Sequence, residues 1–320
     1  MTAETRRLEP IRCCDGRAAA KARANAAGGG VEAIELENVD DLTVPLLVAA
    51  FEGWNDAGEA ASGVIEHLSA AWEPAPIAEI DPEDFYDFQV TRPVVELTRG
   101  RTERLVWPTT RLSRARPEGL DRDIVLVHGI EPNMRWRRFC DELVEGFTKL
   151  GAEMIVLLGA LLADAPHTRP VPISGSVSQP RLAAKLSIQP VDYNGPTGIV
   201  GVLQQACGNV GLAAVSLWAS VPHYVAQPPN PKATLALLRG IEDVLDITLP
   251  LADLPEQARA WERGVNELAQ QDSEVAEYVK ALEDQRDATD LPQASGDAIA
   301  RDFERYLRRH GDHGGAGAGQ

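Results

Sequence analysis

The sequence predicts an α/β protein, a three-layer and mostly parallel sheet between helices, followed by a C-terminal α-helical appendage. Three observations lead there. Near-continuous apolar runs at Val44 to Phe51, Asp123 to His128, Met154 to Leu158 and Ala213 to Ala219 lack the polar alternation of a half-exposed strand. Strands of that kind are buried on both faces, as in parallel sheets. Segments of helical period fall between them, which is the pattern of a helix-covered sheet. After Leu249 the composition changes, and Leu254, Ala258, Trp261, Val265 and Leu268 recur at alternating steps of four and three. That spacing reads as a helical hairpin or a three-helix appendage.

Residues 1–30 stand apart. They carry Arg6, Arg7, Arg12, Arg17, Lys21 and Arg23, then an Ala/Gly run to Gly30, with no apolar h-region. This is not a signal peptide; it reads as a disordered extension or an overlong start. The α/β domain is expected over 31–250, the helical domain over 251–310, and a flexible Gly-rich tail over 311–320.

Val31 to Leu36 alternates apolar and acidic residues, as a half-buried edge strand does. Val44 to Phe51 is the first core strand, ending in Glu52-Gly53-Trp54-Asn55-Asp56. Gly53 permits a sharp turn, and Asp56 with Glu59 fits a capping box for the helix Ala57 to Trp72. Ala60, Ala61, Val64, Ile65 and Leu68 share one face of that helix, and Pro74 and Pro76 stop it. Ile77 to Ile80 is a short strand, followed by an acidic loop carrying Phe85 and Tyr86. Val94 to Thr98 and Arg104 to Trp107 alternate as a hairpin turning around Arg99 to Thr102, placed to extend the sheet or cover a cleft.

The second core strand ends in Gly129-Ile130-Glu131-Pro132-Asn133 and leads into a helix, Arg135 to Leu150. Its core-facing positions are Phe139, Leu143, Phe147 and Leu150. The third strand, Met154 to Leu158, precedes Asp164-Ala165-Pro166-His167-Thr168-Arg169. Ser174-Gly175-Ser176 has the form of a phosphate-binding turn, leading to a helix near Arg181 to Leu186. A helix over Gly198 to Cys207 ends at Gly211. The fourth strand leads through His223 and Tyr224 to a helix at Ala233 to Leu245. Val275, Val279 and Leu282 continue the C-terminal stripe, and Ile299, Phe303 and Tyr306 mark a last helix.

The net charge of −17 repels phosphates, which speaks against nucleic-acid and anionic-membrane partners. Cys13, Cys14, Cys140 and Cys207 form no CxxC pair, so a reducing cytoplasm is expected, with Cys140 and Cys207 as small core fillers.

In a parallel sheet the polar loops after the strands collect at one edge, where ligands are met. That edge gathers Glu52, Asn55 and Asp56, then His128, Glu131 and Arg135, then Asp164, His167 and Arg169, with Thr168, His223 and Tyr224 alongside. A Glu and a His in one crevice suit general acid–base work, and Arg135 and Arg169 suit a phosphate or carboxylate. One reading is therefore a small-molecule binder or enzyme acting on a nucleoside or phosphorylated metabolite. The plainer reading gives these groups to caps and loop amides. There is no HxH or HExxH spacing for a metal, no GxGxxG or GxxxxGK[ST] for a cofactor and no GxSxG elbow. No metal and no cofactor is expected, no catalytic residue can be named, and the balance points away from an enzyme.

Phe51-Glu52-Gly53-Trp54-Asn55-Asp56-Ala57-Gly58 resembles the opening motif of the proteasome assembly chaperone 2 family. Gly129-Ile130-Glu131-Pro132, the segment Gly159 to Pro170, Pro196-Thr197-Gly198-Ile199 and Pro222-His223-Tyr224 resemble its actinobacterial branch. The resemblance spans roughly residues 40 to 250. It implies a fold similar to nucleoside phosphorylases, and a cytoplasmic protein-interaction or assembly factor. The implied partners are copies of itself, as a homo-oligomer, and proteasome subunits. The eukaryotic chaperones dock through a C-terminal tail; this sequence ends Gly-Ala-Gly-Ala-Gly-Gln, so docking by that route is not expected.

Overall fold

Leu46–Glu52, β1, is buried along all but its last residue and runs through the middle of the sheet. Leu46, Val48 and Ala50 enter one core, while Leu47, Ala49 and Phe51 enter another. Both faces of the strand are covered, so the run carries no polar alternation. The computed structural model describes residue 34, residues 36–37, residue 39 and residues 41–179, 189–190 and 193–290.

After β1 come a 3-10 turn (Ala57–Glu59), α1 (Ala60–Trp72) and β2 (Ala75–Glu79). A second 3-10 turn (Pro82–Asp84), β3 (Val94–Thr98), β4 (Arg101–Val106), β5 (Thr110–Ala115) and β6 (Ile124–Ile130) follow. Then come α2 (Trp136–Lys149), β7 (Met154–Ala163), β8 (Ile173–Val177), β9 (Gln189–Pro190), α3 (Ile199–Asn209) and β10 (Ala213–Pro222). A third 3-10 turn (His223–Val225), α4 (Pro231–Leu245), α5 (Leu254–Gln270) and α6 (Ser273–Asp290) complete the described chain.

The main sheet has the order β2-β5-β6-β1-β7-β10-β8-β9. Its centre, β6-β1-β7-β10, is parallel, with antiparallel pairs β5–β6 and β2–β5 on one side and β10–β8 on the other. α1, α4 and the start of α5 pack on one face, α2 and α3 on the other. This is the expected three-layer α/β fold with C-terminal helices.

Several local expectations are corrected. Glu59 is not the N3 partner of a capping box. It is itself the left-handed N-cap of α1 and makes no side-chain cap bond, while the Asp56 carboxylate accepts from Ala61 N at 2.7 Å. The 3-10 turn between them moves the helix start three residues on. Ser174–Ser176 is not a turn but part of β8, paired with β10. β5 was not foreseen, and the β3–β4 hairpin forms its own two-stranded sheet instead of extending the main one. Ile34 and Leu36 lie outside any strand, although Ile34 is buried.

In α5 the residue facing inward after Val265 is Ala269, and Leu268 is 63% exposed. A straight helix of 3.6 residues per turn drifts away from a 3.5-residue repeat, so the fifth position of the stripe moves forward by one. Cys140 and Cys207 are free and buried. Residues 1–30, the helix near Arg181 to Leu186, the helix at Ile299 to Tyr306 and the tail lie outside the described residues. No helix among the described residues is long and apolar enough to cross a membrane.

Candidate functional site

α1 follows β1 on one face and α2 follows β6 on the other. The loops leaving these neighbouring parallel strands therefore diverge, and their carboxyl ends form a topological switch point. Glu52, Asn55 and Asp56 come from the first loop; His128 is on β6, and Glu131 begins the second loop.

Glu131 is the hub of this edge. One of its carboxylate oxygens, Oε1, accepts from Asn55 Nδ2 at 2.7 Å and from Ile199 N at 2.8 Å. Ile199 is the first residue of α3, whose N-cap, Gly198, has no side chain to offer. Glu131 thus supplies the missing cap from another loop, and its charge complements the positive helix end. Backbone bonds close the frame: Glu131 N donates to Glu52 O at 2.9 Å, and Ala160 N donates to Asn55 O at 2.7 Å. Asn55 is fully buried, and its Oδ1 lies against Gly198, where a Cβ would sit 2.2 Å from that oxygen. Only glycine admits Asn55 at that distance.

Asp56 is buried and its pKa is raised, chiefly by desolvation. Its carboxylate is taken up by the N–H groups of Ala61 and Ser62. His128 Nε2 is 3.2 Å from Glu52 Oε1, but the two are not aligned as a hydrogen bond. The Glu52 side chain is 45% exposed.

Arg135 is not part of this crevice. It pairs with Asp84 of the second 3-10 turn, which also meets Arg138 at 2.9 Å. Asp164, His167 and Arg169 form a second, separate cluster on the segment after β7, and each is engaged with the C-terminal helices. His167 Nε2 lies 3.1 Å from Asn266 Oδ1 of α5. Tyr224 OH accepts from His167 N at 2.8 Å and lies 2.7 Å from Nδ1. With Nε2 donating to Asn266, Nδ1 accepts from the Tyr224 hydroxyl, so the ring is the neutral Nε2–H tautomer. Burial pulls the His167 pKa below the ordinary imidazole value, with Lys232 acting in the same sense. Burial also pushes Tyr224 up to about 12. Lys232 Nζ donates to the His167 carbonyl and to Glu262 of α5.

Thr168 donates to Glu283 of α6. Arg169 grips Asp287 through two bonds of 2.8 Å and meets Glu283 at 3.2 Å. Tyr278 OH donates to Asp164 Oδ1 at 3.1 Å. Tyr278, His223 and Tyr224 stack edge-to-face around this contact. Asn266, Lys232 and Tyr278, with the acids Glu262, Glu283 and Asp287, are cluster members that sequence reasoning missed. Asn266, Lys232 and Tyr278 meet the segment after β7 across 65 to 114 residues of chain, beyond the reach of any local pattern.

Fold and site together describe an α/β protein whose polar edge residues bond its own loops and helices to one another. Comparison with known proteins is consistent with that class. The PAC2 family model matches residues 50–269, and the chain belongs to the PAC2 family. A structure from Mycobacterium tuberculosis, described as a proteasome-assembly chaperone homologue, is 58% identical, covers 73% of this chain and 99% of its own, and superposes with a TM-score of 0.69. A PAC2 family protein from Streptomyces avermitilis is 59% identical over 73% of this chain and 99% of its own, with a TM-score of 0.70. An archaeal proteasome activator from Pyrococcus furiosus shares the fold at 15% identity, over 73% of this chain and 97% of its own, with a TM-score of 0.59. No curated protein matches the chain.

Proposed function

We propose that this protein is a cytoplasmic protein-interaction or assembly factor whose partners are proteins: copies of itself and proteasome subunits. The observation that carries this reading is family membership, with a 58% identical neighbour described as a proteasome-assembly chaperone homologue. The engagement of the polar edge supports it. Asn55, Asp56, Glu131, His167 and Arg169 each hold another part of the chain, and a group already committed to folding is poorly placed to work on a substrate.

The test mixes the purified full chain with separately purified proteasome α and β subunits. Native mass spectrometry then follows the formation of rings and half-proteasomes. A complex containing this chain, or faster ring assembly in its presence, is the expected result. Absence of both at concentrations well above those of a typical transient complex overturns the proteasome assignment.

A further inference from the structure

Among the described residues β3 and β4 pair with each other and with no third strand. An isolated two-stranded ribbon is at best marginally stable in water and gains most from a partner surface. β3 is exposed along its entire length. On one face of the ribbon Val95 is 47%, Leu97 59% and Leu105 50% exposed, and Val95 stands directly opposite Leu105. A cluster of bare aliphatic side chains on one ribbon marks an interaction surface more often than a free one.

The charge of the ribbon selects the partner. Arg92, Arg99, Arg101 and Arg104 outnumber Glu96 and Glu103 in this segment, and Glu96 is already paired with Arg104 at 3.2 Å. The ribbon is therefore basic on a chain of net charge −17. The complementary surface lies on the same molecule: over residues 253–290, acids exceed bases eleven to four. That acidic hairpin also carries two exposed large apolar side chains, Leu268 at 63% and Tyr278 at 37%. Glu267, Glu274 and Glu277 are exposed beside them. Opposite charge around apolar side chains on both surfaces is the composition of a specific interface.

We propose that the β3–β4 ribbon of one copy docks on the acidic α5–α6 hairpin of a second copy. The two surfaces differ, so the contact is heterologous and runs head to tail, closing a ring when the rotation permits. This inference stands on the ribbon and the hairpin, and does not depend on which other protein is the client.

Sedimentation velocity on the full chain tests it. The wild type should sediment as a multiple of the single-chain mass, dissociating on dilution and with added salt. L97E/L105E should sediment as a single chain with an unchanged unfolding temperature, because both side chains are exposed. R99E/R101E and E274K/E277K should each be single chains alone, yet assemble when mixed. In that mixture an acidic ribbon meets a hairpin whose exposed charge at 274 and 277 beside Tyr278 has been reversed, and a basic ribbon meets an acidic hairpin. Recovery on mixing also shows that both variants are folded. A wild type that stays a single chain over the concentration series overturns the proposal. So does full-size assembly by either charge variant alone, or failure of the mixture to assemble.

Discussion

Replacing Glu131 with alanine removes the single oxygen that satisfies two donors, Asn55 Nδ2 at 2.7 Å and Ile199 N at 2.8 Å. Asn55 is fully buried and Ile199 is buried, so water cannot readily take the place of the carboxylate. A hydrogen bond to a charged group contributes about 1.5–3 kcal/mol, and an orphaned buried donor costs about 1–3 kcal/mol. The interaction with the α3 helix end adds roughly 0.3–1 kcal/mol. These terms overlap because one oxygen serves both donors, so the expected loss is about 2–4 kcal/mol. At roughly 2–4 °C per kcal/mol for a large domain, the unfolding temperature should fall by about 4–16 °C. Glu131→Gln keeps an acceptor oxygen and loses the charge, and should cost about half as much. Urea unfolding followed by tryptophan fluorescence measures both. An alanine variant within about 0.5 kcal/mol of the wild type, the range of an ordinary surface change, would refute the role of Glu131 as the hub of this edge.

Gly198→Ala places a Cβ 2.2 Å from Asn55 Oδ1, so Asn55 must move; a loss of roughly 1–3 kcal/mol in the same urea assay is expected. Glu52→Gln should stay within about 0.5 kcal/mol of the wild type, since Glu52 is 45% exposed. If a thermal-shift screen of nucleosides and sugar phosphates finds a ligand whose effect this variant abolishes, the interaction-factor reading fails. His167 is held neutral, its folded pKa lying below its unfolded one. Its contribution is complete above the free-imidazole pKa of about 6.5 and is lost as pH falls through the folded value. Hydrogen exchange of α5 and α6 amides, corrected for intrinsic rates, should therefore speed up below neutrality, and His167→Gln, which does not titrate, should remove that pH dependence. Arg169→Ala should leave global unfolding nearly unchanged, as loss of a solvent-screened ion pair does, while making α6 markedly more sensitive to limited proteolysis.

How much of this was legible in the sequence follows from what each element buries. β1, β6, β7 and β10 are covered on both faces, and their apolar runs announce it. β5 escaped notice because Arg111 and Arg114 break up Thr110–Ala115, although Leu112 and Ala115 are buried. The residue types of the candidate site were visible as well, and Glu131 and Asn55 meet at one sheet edge. Their pairing across 76 residues was not visible, nor was the choice of Arg135 for Asp84 over the crevice. Local pattern reports which face of an element is wet. It does not report which distant donor a carboxylate will choose, because that depends on how the layers are brought together.

The separation of the edge residues other than Arg135 into two clusters has a geometric cause. β1 pairs with β7 only as far as Leu158, whereas β7 and β10 continue together to Ala163 and Pro222. β8 leaves β10 at Ala219. The last residues of β7 and β10 therefore form a two-stranded extension beyond the sheet edge, and Leu161 and Leu162 upon it are 42% and 51% exposed. Asp164, His167 and Arg169 sit at the end of that extension, where they hold α5 and α6. Glu131 and Asn55 sit at its root, where they hold α3 and the β1 loop. Local opening follows the density of buried contacts. Loss of the Glu131 frame should accordingly speed exchange throughout the sheet, whereas loss of the Arg169 and Thr168 bonds should speed it in α6 and leave β1 and β6 unchanged. If Arg169→Ala raises exchange in β1 as much as in α6, the two clusters form one cooperative unit and the division fails.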